Sequence, residues 1–447
     1  MLHTDAERTL PSSGITLQPE LPLCQTDLPL DWYQAEFKPY AEEYLALPDR
    51  TAGTVLPWLD SYIEPALAHF GDSLLLLAHY YMGGEIVKLV ERYGGGIADS
   101  YALALQAVRH PEKKVIVESA VHFMAESIAI LAHDDQDVWI TNPKAGCTME
   151  MLAKDYMVLP VAEQLIERYG DDIVCVAYMN TSGRLKALAG RTSGAVCTSS
   201  NAAQVVDWAR RGGKKVLFVP DQHLGRNTAA QLGIADERVV CLPDPQITRG
   251  AFPIDDQVVP GGLAALDKSE MILWGSFCGV HTVFTPKHVD WWHERDWKVL
   301  VHPESPREVV ERADGSGSTA YLWKAIMEAP RGARLAIGTE GHFVRNAREQ
   351  AARRGVEVMH LADVPDPAFS TAGCGCATMS RNDPPHLAGM LDLLRKGTPP
   401  ATNHVLAGDS VDERTGALDR LDEVERRELI GDAKRALEAM IDVVEGR

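Results

Sequence analysis

Thiols, imidazoles, phenols and carboxylates recur in this chain at the ends of short apolar segments. Three cysteines, Cys147, Cys278 and one of Cys374 and Cys376, each close a similar run of four strand-like segments. The first run is LLLLAHYY (74–81), GGIADSYALA (95–104), KKVIVESAVHFMAES (113–127) and DVWITNPKAGC (137–147). The second is DIVCVAYMN (172–180), GAVCTSSNAA (194–203), KKVLFVPDQHLGR (214–226) and EMILWGSFC (270–278). The third is WKVLVHPES (297–305), GSGSTAYLW (315–323), RLAIGTEGHF (334–343) and VEVMH (356–360), leading to GCGC (373–376). Three copies of one α/β unit around a pseudo-threefold axis would bring three thiols to one point. That geometry suits an iron–sulfur cluster with one iron left free for substrate. The thiols lie 131 and 98 residues apart, spacings that match no compact iron–sulfur or zinc motif, so only fold symmetry gives them meaning. Cys374 and Cys376 are too close to share one iron comfortably, and Cys376 is the favoured ligand. Cys24, Cys175 and Cys241 read as small buried hydrophobes. Cys197 could be a ligand, but the second run would then supply two thiols.

In open α/β units ligands bind beyond the carboxyl ends of the strands. Found there are His79 and Tyr81, Ser100, Tyr178 and Asn180, Thr198 and Ser199, His281, His302 and Glu304, and Ser318 with Thr319. The imidazole, phenol and carboxylate groups can move protons; the hydroxyls and the amide can hold carboxylate or phosphate oxygens. Any one of them alone is more often a helix cap or a satisfied strand-end group. Their recurrence in three runs is what points to one common site.

The elements that must position these groups alternate from about Thr51 to Met379. Short β-branched strands such as VLFV (216–219) and VLV (299–301) have the character of buried parallel strands. Between strands, EIVKLVERY (85–93), AAQVVDWARR (202–211), REVVERA (307–313) and VRNAREQAARR (344–354) carry apolar residues at helical spacing. The expected fold is α/β: three similar three-layer domains with parallel sheets around a pseudo-threefold axis. The expected boundaries are an extension at 1–50, a first domain at 51–147 completed by 377–447, a second at 148–278 and a third at 279–376. Residues 1–50 read as a Pro-rich extension that packs on the surface or is partly mobile. Residues 231–270 read as an insertion in the second domain, a surface elaboration or lid. The segment 377–447 is a C-terminal helical segment whose charged tail packs one apolar stripe.

The 447 residues suffice for two to four domains, and 45% apolar with 24% charged residues is ordinary globular composition. A formal net charge of −19 argues against nucleic acid as a partner. No apolar stretch reaches the roughly 20 residues that span a bilayer, and the N-terminal residues lack a secretory pattern. A cytoplasmic chain with reduced thiols is expected.

The motifs also carry a resemblance. AHYYMGGE (78–85), VHFMAES (121–127), PKAGCTM (143–149), YMNTSGRLKA (178–187), CTSSNA (197–202), PDQHLGRNTA (220–229), WGSFCGVH (274–281), HPESPREVVERAD (302–314), GST (317–319), GTE (338–340) and CATM (376–379) resemble, in order, those of the quinolinate synthase family. The resemblance implies a 4Fe–4S cluster on Cys147, Cys278 and Cys376. It implies a condensation of iminoaspartate with dihydroxyacetone phosphate to quinolinate in NAD biosynthesis. An L-aspartate oxidase or dehydrogenase would supply the iminoaspartate. It further implies that His79, Tyr81, Tyr178, His302 and Glu304 are catalytic, and that Ser100, Asn180, Ser199, His281, Ser318 and Thr319 bind substrate. The chain departs from the family pattern in having Ser305 after HPE, where cysteine is frequent, and CGC in place of CxxC.

Three rival functions are weighed against this one. A 4Fe–4S hydro-lyase acting on another hydroxy acid would keep the cluster. A non-catalytic iron–sulfur sensor would use four protein ligands and screen them from solvent. A metal-free binding protein for a phosphorylated metabolite would bury the thiols as core residues. The Gly-rich GGEIVKLVERYGGG (83–96) lacks the spacing of a dinucleotide-binding turn.

Overall fold

The structure is a computed structural model and describes residues 28–82, 86–98, 100–365, 375–376, 378–412, 415 and 417–446. Cys24 and Cys374 therefore lie outside the described residues. The chain divides into two compact units, Met1–Gly146 with Gly375–Arg420, and Cys147–Cys374 with Leu421–Arg447.

The first unit is built on four parallel strands, β1 (Leu74–His79), β2 (Gly96–Ala98), β3 (Val115–Ser119) and β4 (Asp137–Ile140), in the order β2-β1-β3-β4. Every residue of β1 is buried, as its uninterrupted LLLLAH sequence requires of a central parallel strand. Leu75, Leu77, Ile116, Val138 and Ile140 pack with Leu103, Ala104, Ala107 and Ile128 in one apolar cluster. Those last four come from the helices Ser100–Arg109 and His122–Leu131.

The second unit contains two more parallel sheets. One holds β5 (Ile173–Tyr178), β6 (Ala195–Cys197), β7 (Lys215–Val219), β8 (Val239–Cys241) and β9 (Met271–Leu273), in the order β6-β5-β7-β9-β8. The other holds β10 (Lys298–Val301), β11 (Gly315–Ser316), β12 (Arg334–Gly338) and β13 (Glu357–His360), in the order β11-β10-β12-β13. The chain is thus three-layer α/β in character, with one strand order used three times. In each sheet the chain leaves its first strand to one side and returns on the other, so a crevice opens at the carboxyl ends of the first and third strands.

Three sequence expectations change. Residues 231–270 are not merely an insertion on the surface. Val239, Val240 and Cys241 pair in parallel with Met271, Ile272 and Leu273, adding β8 as a fifth, edge strand. The β-branched VVC run supplies a strand too short to have stood out beside its Pro- and Gly-rich flanks. The terminal helix Glu423–Glu445 does not complete the first unit. It buries Leu429, Ala433, Ala436, Leu437 and Met440 and packs on the helix Gly183–Arg191 and on β6 of the second. The N-terminal extension is more than a surface strap from Tyr33 onward. Tyr33, Phe37, Tyr40 and Tyr44 are buried, and Tyr33 stacks on His386 with ring centroids 4.8 Å apart. Tyr40 donates to Asp392 at 2.7 Å, tying this stretch to the helix Pro384–Lys396.

Candidate active site

Four strand ends of the second unit deliver side chains to one buried cluster. Tyr178 is the last residue of β5, Asp221 follows β7, His302 and Glu304 follow β10, and Thr339 follows β12. These strands are the first and third of their sheets, where the crevice is expected. Cys278 and His281 arrive on the turn after β9.

Glu304 is the hub. Tyr178 donates its phenolic proton to Glu304 Oε1 at 2.6 Å, and His281 Nδ1 lies 2.8 Å from Oε2. His302 Nδ1 is 3.9 Å from the same oxygen, and the His281 and His302 rings stack with centroids 4.6 Å apart. Beyond Glu304, His281 Nδ1 is 3.2 Å from Cys278 Sγ, and its Nε2 is 3.0 Å from Thr339 Oγ1. Glu304, His281 and His302 are each no more than 3% exposed. Burial opposes ionisation of Glu304, but the pull of His302 and the hydrogen bonds from His281 and Tyr178 outweigh it and hold the carboxyl down at about 2. Burial pushes His302 down to about 3 against the attraction of Glu304. At neutral pH the cluster therefore offers an ionised carboxylate beside a neutral imidazole.

Asp221 supports this cluster from below. One carboxylate oxygen caps the helix Gln222–Gln231 through Leu224 N at 2.6 Å, and the other accepts the backbone N–H of Cys278 at 3.0 Å. Its burial and the nearby Glu304 charge push its carboxyl well above the usual range. The turn that carries Cys278 can sit there because Gly275 has no side chain. A Cβ at that position would fall 2.4 Å from the Leu242 carbonyl oxygen.

Cys147 is buried and precedes the short helix Thr148–Met151. Its segment adjoins that of Cys278: Ser276 Oγ contacts Met149 O at 3.4 Å, and a Cβ on Gly279 would be 3.3 Å from Thr148 Oγ1. Two of the three cysteines expected to bind the cluster thus sit on touching segments, and Cys278 lies beside the His281 imidazole and the Glu304 carboxylate. That donor set fits an iron–sulfur group. Cys376 is half-buried in the first unit, its Sγ 3.1 Å from Thr378 Oγ1. Cys175 and Cys197 are fully buried strand residues whose thiols burial pushes up, Cys175 to about 12, so Cys197 is no poised thiolate. Cys241, expected in the core, is only partly buried on the edge strand and lies 3.5 Å from Gln222 Oε1.

Ser199 and Ser318 line a cavity of about 530 Å³ together with Asn227, Arg307 and Tyr321. Ser318 caps the helix Thr319–Glu328, and Ser199 lies just before the helix Ala202–Ala209, so both stand at helix N-termini. Thr319 is buried at the first turn, and Asn180 is half-buried in the loop after β5. In the first unit, His79 ends β1 and accepts the Tyr81 N–H at Nδ1, 3.1 Å away. Their rings meet edge to face at 4.9 Å. Ser100 is buried at the start of the helix Ser100–Arg109.

The description "Quinolinate synthetase A protein" belongs to the family whose profile matches residues 64–412. The chain belongs to that family. It is 38% identical over 352 residues to the quinolinate synthase of Corynebacterium glutamicum, covering 78% of this chain and 83% of that protein. The quinolinate synthase of Acidobacterium capsulatum is 37% identical over 388 residues, 86% of this chain and 95% of its own. That of Streptomyces coelicolor is 36% identical over 406 residues, 90% and 96% respectively. As a member of the quinolinate synthetase A family the chain is an enzyme. Two residues that bear on the site, Asp221 and Thr339, were not among the sequence candidates. Both lie in motifs that were, PDQHLGRNTA and GTE. Asp221 was legible as a cap, being a carboxylate one residue before a helical run. Thr339 carried no signal beyond its place at a strand end.

Proposed function

We propose that this chain condenses iminoaspartate with dihydroxyacetone phosphate, expelling phosphate and two waters, to make quinolinate for NAD biosynthesis in the cytoplasm. An L-aspartate oxidase or dehydrogenase would supply the iminoaspartate. The observation that carries the reading is the buried chain Tyr178–Glu304–His281–Cys278, set at strand ends in a member of the quinolinate synthetase A family.

Cys147, Cys278 and Cys376 would hold a 4Fe–4S cluster, one thiolate from each of three pseudo-threefold α/β domains (51–147, 148–278 and 279–376). When bound, such a cluster supplies a Lewis acid for a substrate oxygen at the iron that lacks a thiolate. Glu304, held ionised, takes the proton from the carbon that must lose one. The Tyr178 hydroxyl keeps its carboxylate aimed. His302, held neutral and so able to accept, relays the proton that Glu304 has taken to the hydroxyl that leaves as water. Tyr178 with Asn180 holds the substrate, and His281, Ser100, Ser199, Ser318 and Thr319 receive its carboxylate and phosphate oxygens. The two helix N-termini at the Ser199–Ser318 cavity favour anions. Tyr81, with His79 beside it, assists phosphate departure and the keto–aldo isomerisation.

The test is anaerobic. Protein reconstituted with iron and sulfide is given enzymatically generated iminoaspartate and dihydroxyacetone phosphate, and quinolinate is followed by mass spectrometry. Quinolinate from wild type, and at least a thousandfold less from Glu304→Gln with equal cluster content, is the expected result. Full activity in Glu304→Gln would remove the carboxylate from the mechanism, and no quinolinate from a fully loaded wild type would sink the reaction.

A further inference from the structure

One donor atom from each of Cys278, His281 and Glu304 lies within 4.8 Å of the other two. We propose that the cluster-free chain binds one thiophilic divalent cation of the zinc class on these three atoms, and that this ion competes with the iron–sulfur cluster for Cys278. The competition rests on the function proposed above; the cation site does not.

The distances suit a single ion. Sγ and Nδ1 are 3.2 Å apart, and Nδ1 and Oε2 are 2.8 Å apart. Tetrahedral zinc, with bonds of about 2.0–2.3 Å, separates its donors by roughly 3.3–3.6 Å. The Sγ–Nδ1 and Nδ1–Oε2 pairs need to open by only about half an ångström, and the remaining thiol–carboxylate separation falls within the 4.8 Å bound. One thiolate, one imidazole and one carboxylate leave a fourth position open, the pattern of three-ligand zinc sites. One Nδ1 proton, meanwhile, faces both the thiol and the carboxylate and cannot serve both fully.

Each ligand already has a second partner that orients it. Thr339 Oγ1 meets His281 Nε2 at 3.0 Å, the Tyr178 hydroxyl holds Glu304 Oε1 at 2.6 Å, and Asp221 holds the Cys278 N–H at 3.0 Å. Such outer contacts fix tautomer and aim in metal sites. On binding, the Cys278 thiol proton leaves to solvent and the His281 ring proton sits on Nε2, where the Thr339 oxygen accepts it. A thiolate and a carboxylate then cancel the double positive charge, as a site this buried demands.

Full-length chain freed of metal with chelator and reductant should take up one equivalent of Co²⁺. The near-ultraviolet thiolate-to-cobalt band and tetrahedral visible bands should appear, and Zn²⁺ should displace the cobalt. Cys278→Ser should lose the charge-transfer band. Glu304→Gln should weaken Zn²⁺ at least tenfold. Tyr178→Phe, which keeps all three ligands, should weaken it about tenfold and serves if Glu304→Gln folds poorly by circular dichroism. Cys147→Ser should bind Zn²⁺ within about threefold of wild type while failing to hold a cluster. One equivalent of Zn²⁺ added first should more than halve the iron and sulfide taken up by wild type, and chelator should restore them. Absence of stoichiometric binding, an unchanged cobalt band in Cys278→Ser, or equal loss in Cys147→Ser would each overturn the site. A chain that binds zinc as described yet never takes up iron and sulfide would uphold the site and sink the cluster reading instead.

Discussion

Tyr178 and Glu304 form a 2.6 Å contact in the buried cluster, and neither is near the other in sequence. Removing the phenolic proton should leave the carboxylate in place but less well aimed. Tyr178→Phe is expected to lower kcat roughly 10²-fold, the usual worth of one positioned proton-transfer partner, at unchanged cluster content by iron analysis. A second buried carboxylate has a different fate. Glu118 on β3 lies in register with Leu77 and Ile140, so it shares their apolar face, and among the described residues neither of its oxygens has a hydrogen-bond partner. Burial pushes its carboxyl up to about 8, so the folded chain holds a proton that the unfolded chain releases at ordinary carboxylate pH. The stability contributed by that proton is complete below about pH 4.5 and is lost as pH rises toward 8, at up to about 1.4 kcal/mol per pH unit. Glu118→Leu should therefore raise the thermal midpoint at pH 8 far more than at pH 5. Equal shifts at both pH values would show that the carboxyl is ionised in the fold.

At the scale of elements, parallel strands and the helices that follow them place the chemistry. Each strand is a short apolar run whose last residue, or the turn beyond it, is polar, so burial of the strand fixes where the polar group emerges. Asp221 shows how this works, since it caps a helix with one oxygen and steadies the Cys278 turn with the other. Packing of the terminal helix depends on an absent side chain. A Cβ on Gly190 would lie 1.9 Å from the Asp432 carbonyl oxygen. Gly190→Ala should push the helix Glu423–Glu445 off its seat and cost about 1–3 kcal/mol in urea unfolding. A midpoint within a few tenths of wild type would mean that the helix shifts without cost.

Over the whole molecule, the chain crosses between its two compact units more than once. Gly375–Arg420 returns to the first, and Leu421–Arg447 to the second. The terminal helix buries Leu429, Leu437 and Met440 against Gly183–Arg191 and β6, worth roughly 6 kcal/mol at about 2 kcal/mol for each large apolar side chain. A chain ending at Arg420 should unfold at lower temperature and bind a hydrophobic dye through the uncovered faces of Gly183–Arg191 and β6. Unchanged melting and dye binding would assign the helix no structural role.

Strand identity, the threefold recurrence of one α/β pattern and most of the strand-end residues were legible in the linear order, because apolar period and polar termini are local properties of a chain. Among the described residues, thirteen parallel strands reproduce the twelve segments read from the pattern, and β8 is the one added. Its three residues were too few to announce themselves, and only pairing with β9 gives them a place. The side of the molecule on which the terminal helix packs, the part played by Asp221 and Thr339, and the meeting of Cys278, His281 and Glu304 depended on contacts between residues distant in the chain: His281 and Glu304 are 23 positions apart, His281 and Thr339 58, and Gly190 and Asp432 242. Such contacts are decided by which faces can be buried together, and no local spacing encodes that.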